Sequence, residues 1–200
     1  MSSLSGYPQR HYRVVLIDPP TKFVAGTKSR PQHYPRMTWP EILALPVRDL
    51  LHPDGARVFI WMSAPHMCRV DEICRAYRLR YSSCFPWVKL WSSGEPLFFC
   101  RSSIARGTGL EVAGNAEYVI ILKSGTPHSI KGRPFPGVMI EPRREHSRKP
   151  PNLHAEIEAR IPGPRLEMFA REKRPGWDAF GNEVGKFDAP VEFRTLQAAE

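Results

Sequence analysis

The sequence lacks the patterns that mark membrane, secreted and zinc-binding proteins. No apolar run is long enough to cross a bilayer, and residues 1–13 contain no apolar signal-peptide core. The four cysteines form no CxxC pair and have no metal-ligand spacing, which excludes a zinc-ribbon type of site and favours reduced thiols. We therefore expect a soluble cytoplasmic protein that holds no metal.

The two commonest nucleotide-binding motifs are also missing. The chain has no GxGxxG and no P-loop, which argues against a standard dinucleotide or nucleoside triphosphate site. Its 200 residues and 42% hydrophobic content predict one globular domain, with residues 1–184 as the domain and residues 185–200 as a tail. The formal net charge of +9 favours a polyanionic partner.

The stretch from residue 12 to residue 21 begins as a strand and ends in two prolines. Residues 14–17 are a continuous apolar run, typical of a strand covered on both faces. Asp18 follows at the carboxyl end, where ligands bind in open α/β sheets. Pro19 and Pro20 bring carbonyl acceptors without N–H donors, so a carboxylate and a carbonyl there suit an amino group with two hydrogens. The tripeptide alone is more typical of a simple strand-ending turn than of a functional site.

Predicted strands and helices alternate along the rest of the chain. A capping box at Thr38 and Glu41 predicts a short helix, and apolar periodicity predicts helices over residues 63–80 and from residue 151. This alternation predicts an α/β fold with a largely parallel sheet. Further strands are expected at residues 58–62, 84–91, 117–122, 138–140 and 165–170, and loops at residues 22–36, 92–115 and 125–137.

Short motifs between residues 12 and 184 resemble the MT-A70 family of adenine-N6 methyltransferases, in its short prokaryotic or phage form. Their order and spacing together are more specific than any one of them. The motifs are Asp18-Pro19-Pro20, Gln32-His33-Tyr34-Pro35, Phe59-Ile60-Trp61, Trp87-Val88-Lys89, Asn115-Ala116-Glu117-Tyr118, Arg144-Glu145-His146-Ser147-Arg148-Lys149-Pro150, Leu166-Glu167-Met168-Phe169-Ala170-Arg171, Pro175-Gly176-Trp177 and Gly181-Asn182-Glu183-Val184.

The resemblance implies a Rossmann-like fold that uses S-adenosyl-L-methionine and has a circularly permuted motif order. The catalytic strand then comes early and the cofactor strand late. Glu167, an acid within a late apolar strand, has the character of a ribose-hydroxyl acceptor, although a surface acid at a strand end would look the same. The expected reaction is methyl transfer to adenine N6.

The resemblance also implies roles for individual residues. Asp18 and the Pro19 carbonyl would accept the two N6 hydrogens, and Lys149 would bind the cofactor carboxylate or the flipped adenine. The alternative is a solvated lysine at a helix N-terminus, but the positive end of the helix dipole disfavours a cation at that position. The implied catalytic residues are Asp18, Pro19, Pro20, Thr21 and Tyr34; the cofactor residues are Asp18, Lys149, Glu167, Arg171, Asn182 and Glu183; and the substrate residues are Phe23, Tyr34, Ser147, Lys149, Arg101 and Arg106.

Thr21 departs from the family pattern, which places an aromatic residue after Asp-Pro-Pro to stack on the target base. A stacked base contributes about 1–3 kcal/mol to binding. Three neighbouring aromatic residues are candidates to replace it: Phe23, Tyr34 and Trp39. Trp61 and Trp87 lie in apolar strands and are expected in the core instead.

The expected partner is nucleic acid, with DNA favoured over RNA. Basic residues in the predicted loops, Arg101 and Arg106 among them, would contact phosphates without reading sequence. Two alternatives remain open from the sequence: a catalytically silent nucleic-acid-binding subunit, and the same enzyme class acting on RNA or on a smaller amine. Recognition would depend on the loops or on a second subunit, identical or different.

Overall fold

The computed structural model describes residues 4–21, 36–91, 101–107, 111–145 and 148–188. Within these ranges, seven strands form one sheet in the order β5-β3-β4-β2-β1-β6-β7. The strands are β1 (Val14–Ile17), β2 (Gly55–Ser63), β3 (Arg80–Leu90), β4 (Ala116–Gly125), β5 (Met139–Pro142), β6 (Arg165–Met168) and β7 (Asp178–Phe180). The α-helices are α1 (Trp39–Leu43), α2 (Val47–Leu50), α3 (Val70–Tyr77) and α4 (Asn152–Arg160).

Strand β1 lies inside the sheet, between parallel neighbours β2 and β6. All four of its side chains are buried, and they alternate between two hydrophobic clusters. Val15 and Ile17 pack on the face that carries α3, whereas Val14 and Leu16 pack on the face that carries α4. The continuous apolar run is therefore explained by helices on both faces, as expected for a parallel strand.

Strand direction brings several chain segments to one edge of the sheet. Among the described strands, β4 alone runs antiparallel to the others, so its first residues lie beside the carboxyl ends of its neighbours. Glu117 of β4 is thus opposite Ser63, the last residue of β2. The same edge receives Asp18 after β1 and Lys89 near the end of β3. The largely parallel α/β sheet is confirmed.

One sequence prediction of local structure was wrong, and one short strand was missed. The expected helix over residues 63–80 is divided into a 3-10 helix (Ala64–Arg69) and α3. Arg78, with a left-handed φ of 52°, ends α3 before β3 begins at Arg80. Strand β7 was not predicted, because three residues are too few to show a periodicity. The capping box was confirmed, since the Thr38 backbone N–H donates to Glu41 Oε2 at 2.6 Å.

Some predicted features lie outside the described residues, namely the loop residues 22–35, 92–100 and 108–110. Residues 185–188 follow the predicted domain and contact it, because the Phe187 N–H donates to the Arg171 carbonyl at 3.0 Å. None of the helices that the structure describes is long and apolar enough to cross a membrane.

The backbone at the end of β4, on the opposite edge of the sheet, depends on Gly125. This residue has φ +54°, and a Cβ atom there would lie 2.6 Å from the Asp54 carbonyl oxygen. We predict that Gly125→Ala lowers the free energy of unfolding by about 2–4 kcal/mol in urea titration, through left-handed strain and the backbone clash. Gly137→Ala is the control, because a Cβ atom at that position would have nothing within 4 Å. Equal stability of the two variants would contradict this interpretation of Gly125.

Candidate active site

The corner after β1 is held by backbone hydrogen bonds. The Asp18 N–H donates to the Met168 carbonyl at 3.3 Å, the Thr21 N–H donates to Pro19 O at 2.8 Å, and the Met37 N–H donates to Pro20 O at 2.8 Å. A carbonyl oxygen has two lone pairs, so each prolyl carbonyl keeps one acceptor position. The turn therefore presents a carboxylate and a positioned carbonyl side by side.

Four alternating charges lie at this corner. Lys149, just before α4, places its Nζ 2.9 Å and 3.0 Å from the two Asp18 carboxylate oxygens and 3.2 Å from Glu117 Oε2. Lys89 forms an ion pair with the other oxygen of Glu117. The resulting row Lys89–Glu117–Lys149–Asp18 joins β3, β4, the segment before α4 and β1. We call these four residues the ion network.

Two core tryptophans support the cations of the ion network. Trp61 and Trp87 are buried, as predicted, and their rings meet edge to face at 5.9 Å. Lys149 Nζ lies 5.6 Å from the Trp61 ring centroid, and Lys89 Nζ lies 5.0 Å from that of Trp87. These distances suit cation–π attraction, so the aromatic faces help to place both ammonium groups.

Burial and pairing set the charge states of the ion network. Burial raises the pKa of Glu117, but Lys149 and Lys89 outweigh it and hold that pKa at about 2. Burial lowers the pKa of Lys149, but the two carboxylates raise it above its ordinary value. For Asp18, burial dominates over Lys149 and raises the pKa. Lys149 therefore stays protonated and positively charged, and Asp18 is a better proton acceptor than an ordinary aspartate.

A second group of charges follows β6 and β7. Arg171 pairs with Glu183 at 3.1 Å, and Glu183 also pairs with Lys186. The positive charge of Arg171 acts on Asp18 and offsets a small part of the upward shift of its pKa. Asn182 directly precedes Glu183. Arg171 therefore connects the two groups of charges, since it pairs with Glu183 and its charge acts on Asp18.

Glu167 has a different environment. It lies within β6, where its Oε2 is 2.9 Å from His154 Nε2 of α4. Glu167 and Leu16 are partners in the β6–β1 register. The carboxylate is therefore held between the sheet and α4, and its proposed role toward a ribose stays a prediction.

Most of the predicted nucleic-acid-contacting residues fall outside the part of the chain that the structure describes. Phe23, Tyr34 and Ser147 lie outside the described residues, as does the side chain of Arg101. Arg106 is described and exposed to solvent. Their roles also stay predictions.

Two members of the ion network, Lys89 and Glu117, were not predicted as site residues. Lys89 and Glu117 belong to two motifs of the resemblance, but neither had been given a role. The available signal was a charge at the end of each of two otherwise apolar strands. Their pairing could not be read from the chain, because it depends on the register between β3 and β4.

A cavity of about 270 Å³ opens beside Thr21. Trp39 lies in its wall with the His66 ring parallel to it (centroids 5.6 Å apart, 9° between planes), and the Arg69 guanidinium lies 4.9 Å from the Trp39 ring. Trp39 Nε1 donates to Glu72 at 2.8 Å. We call this cavity the Trp39 pocket. Its lining residues are Thr21, Met37, Thr38, Trp39, Ile42, His66 and Arg69.

Comparison with known proteins finds methyltransferases among the relatives of this chain. N(6)-adenine-specific methyltransferase METTL4 of Mus musculus is 27% identical over 194 residues, which cover 94% of this chain and 40% of that protein. The human METTL4 gives the same identity and coverage. Type II methyltransferase M.MunI of Mycoplasma sp is 22% identical over 210 residues, which cover 92% of this chain and 84% of that protein. The chain thus spans about two fifths of the length of the METTL4 proteins.

The MT-A70 family description matches residues 12–183, from just before β1 to the charged group after β7. The match includes the Asp18 corner, the ion network and the Trp39 pocket. Since it extends over most of the sequence, this chain belongs to the MT-A70 family.

Proposed function

We propose that this chain is an S-adenosyl-L-methionine-dependent methyltransferase that transfers a methyl group to adenine N6 in nucleic acid, with DNA favoured. The observation that carries the proposal is the Asp18 corner with Lys149 bound to it, at the carboxyl edge of a sheet in an MT-A70 chain. The METTL4 relatives are named as N6-adenine methyltransferases. The preference for DNA rests on the resemblance to the short prokaryotic or phage form.

The donor set at this edge fits the cofactor. When bound, S-adenosylmethionine supplies an electrophilic methyl group on a sulfonium. Lys149 is a buried cation suited to a carboxylate, and Glu183 and Asn182 offer acceptors and a donor for ribose hydroxyls and adenine. Arg171 would orient Glu183 through their ion pair, and Glu167 would accept a ribose hydroxyl.

The chain's own residues would activate the acceptor amine. Adenine N6 is a poor nucleophile, because its lone pair is delocalised into the ring. Asp18 and the Pro19 carbonyl would accept its two hydrogens and favour a tetrahedral nitrogen, which frees the lone pair for attack. The raised pKa of Asp18 suits it to take the proton that N6 loses after methylation. Positioning and electrostatics would supply most of the acceleration.

Exposed cations fit a nucleic-acid partner. Arg106, Lys131, Arg133 and Arg143 are all exposed, and the chain carries a net charge of +9. The Arg143 guanidinium lies 4.4 Å from the ring of Trp91, which is itself 38% exposed. Such groups contact phosphates and stack on bases in single-stranded nucleic acids.

Transfer of labelled methyl from S-adenosylmethionine to single- and double-stranded DNA and RNA tests the proposed function. We predict labelled N6-methyladenine, and a loss of about 10²–10³ in kcat for Asp18→Asn, which removes the anionic acceptor. Asp49→Asn, at an exposed position on α2, is the control and keeps full activity. No label on any of the four substrates would contradict the proposal, and loss of cofactor binding as well would leave a nucleic-acid-binding subunit.

The cofactor role of Lys149 gives a second prediction. Lys149→Met removes the buried cation, so the Kd for S-adenosylmethionine should rise at least about tenfold in calorimetry, as for loss of a charged hydrogen bond. Lys173→Met, at an exposed lysine, should leave that Kd unchanged. An unchanged Kd in Lys149→Met would exclude Lys149 as a cofactor ligand.

Glu117 should stabilise the folded chain in a pH-dependent way. Its pKa is lowered from 4.5 to about 2, so its contribution is present above pH 4.5 and lost as the pH falls through about 2. Urea unfolding at pH 7 should find Glu117→Gln less stable than wild type, by on the order of 2–3 kcal/mol. The difference should shrink steadily below pH 4.5.

The matched control for that titration is Glu111→Gln, at an exposed position. It should stay within about 0.5 kcal/mol of wild type at every pH. A stability gap for Glu117→Gln that is the same at pH 7 and pH 3 would contradict the charge assignment in the ion network.

A further inference from the structure

The Trp39 pocket brings together three groups that bind flat aromatic ligands. The Trp39 indole and the His66 imidazole are nearly parallel, and the Arg69 guanidinium lies against the indole. Indole, imidazole and guanidinium planes are the surfaces on which proteins stack nucleobases. Burial, with a smaller effect from Arg69, lowers the pKa of His66, so this ring is neutral near pH 7.

Hydrogen bonds fix the orientation of both rings in the Trp39 pocket. Its Nε1 donates to Glu72 at 2.8 Å, and Glu72 pairs in turn with Arg69 at 3.7 Å. His66 Nδ1 lies 2.9 Å from Ser63 Oγ, which ties the second ring to the end of β2. An aromatic wall that is already oriented loses little side-chain entropy when a ligand stacks on it.

The size of the pocket suits one base. Its volume of about 270 Å³ is just below the range of about 300–1,000 Å³ typical of sites for drug-sized ligands. Thr21 contributes a small side chain to the wall, where a larger one would occupy this space. The Arg69 side chain is 41% exposed, so its positive charge also faces solvent, where a phosphate would lie.

The position of the pocket relates it to the reacting amine. Thr21 is three residues after Asp18, and three residues span at most about 11 Å. Within the described part of the chain, none of Asp18, Lys149 and Glu117 lines the pocket. A base stacked on Trp39 can therefore be a different base from the one whose amine contacts Asp18, with both bases in one strand.

We infer that the Trp39 pocket binds the nucleobase next to the acceptor adenine, and so reads or requires a neighbouring nucleotide. This inference rests on the proposed function, because it takes the base at Asp18 as the acceptor. In this inference, Trp39 provides the surface on which the base stacks, and His66 lies parallel to it. Arg69 attracts the nearby phosphate.

The test compares intact and abasic single-stranded oligonucleotides. The probe is a fluorescein-labelled pentamer with one central adenine, and its matched forms carry an abasic site directly 5′ or directly 3′ of that adenine. Fluorescence anisotropy measures the Kd of each form for wild type, Trp39→Ala and Trp39→Phe. Tyr81→Ala, which removes an exposed aromatic residue at the far end of β3, is the control.

For wild type, one of the two abasic forms should bind about 5- to 150-fold more weakly than the intact pentamer, the range expected for loss of one stacked base. Trp39→Ala should bind the intact pentamer with that same weaker Kd and should not distinguish the abasic forms. Trp39→Phe and Tyr81→Ala should keep the discrimination.

Arg69→Gln is the second variant, because the partly exposed Arg69 can be replaced without opening the core, whereas Trp39 packs against it. It should weaken binding of the intact pentamer about 2- to 5-fold, as for loss of one solvent-exposed ion pair with a phosphate. Three results would overturn the inference. Trp39→Ala could still discriminate between the intact and abasic forms, or it could weaken binding of the intact and abasic forms equally. Wild type could bind both abasic forms as tightly as the intact pentamer.

Labelled methyl transfer to the intact pentamer, run in parallel, separates the two proposals. Methyl transfer without Trp39-dependent discrimination would support the proposed function and exclude the Trp39 pocket as a site for the adjacent base. Trp39-dependent discrimination without transfer to adenine leaves a base-binding pocket and removes the proposed reaction.

Discussion

The structure depends on one ammonium group shared by two carboxylates. Lys149 lies within 3.2 Å of both Asp18 and Glu117, and these three side chains are largely removed from water. Removing Lys149 takes the ammonium partner from the Asp18 carboxylate, and removing Glu117 takes the carboxylate partner from Lys89. An ion left without its partner in such a site is strongly unfavourable. The pairing therefore ties the segment before α4 to the ends of two strands, and Lys89 extends it to a third. The same contacts that hold the edge together also define its chemistry.

Two groups of side chains with different chemistry flank this charged centre. On one side, Arg171 and Glu183 follow the last strands and provide the polar groups proposed for the cofactor. On the other side, the aromatic wall of Trp39 lies beyond Thr21. In the proposed arrangement, Asp18 lies between these two groups. The amine of the acceptor base then meets the methyl donor, while the adjacent base of the strand binds in the Trp39 pocket.

Much of the fold could be predicted from local sequence. The apolar run before Asp18 indicated the central strand, and the two prolines after it located the corner, because each is a local constraint on backbone hydrogen bonding. Lys149 was recognisable as a cation in an unfavourable place at the start of a helix. Glu117 and His66 could not be assigned, because their roles arise from strand register and from a 3-10 helix, which pair residues far apart in sequence. Strand β7 is defined only by its neighbour β6.

In the proposed function, Asp18 accepts the amine hydrogens while Lys149 holds its carboxylate in place, so the two residues act as one unit in methyl transfer. A double-mutant cycle tests this claim most directly, with kcat/KM for labelled methyl transfer measured in Asp18→Asn, Lys149→Met and the combined variant. Residues that act together are strongly non-additive, so the combined variant is expected to be about as slow as the slower single variant. A combined loss equal to the product of the two single losses would mean that the two residues act independently, and would contradict the claim.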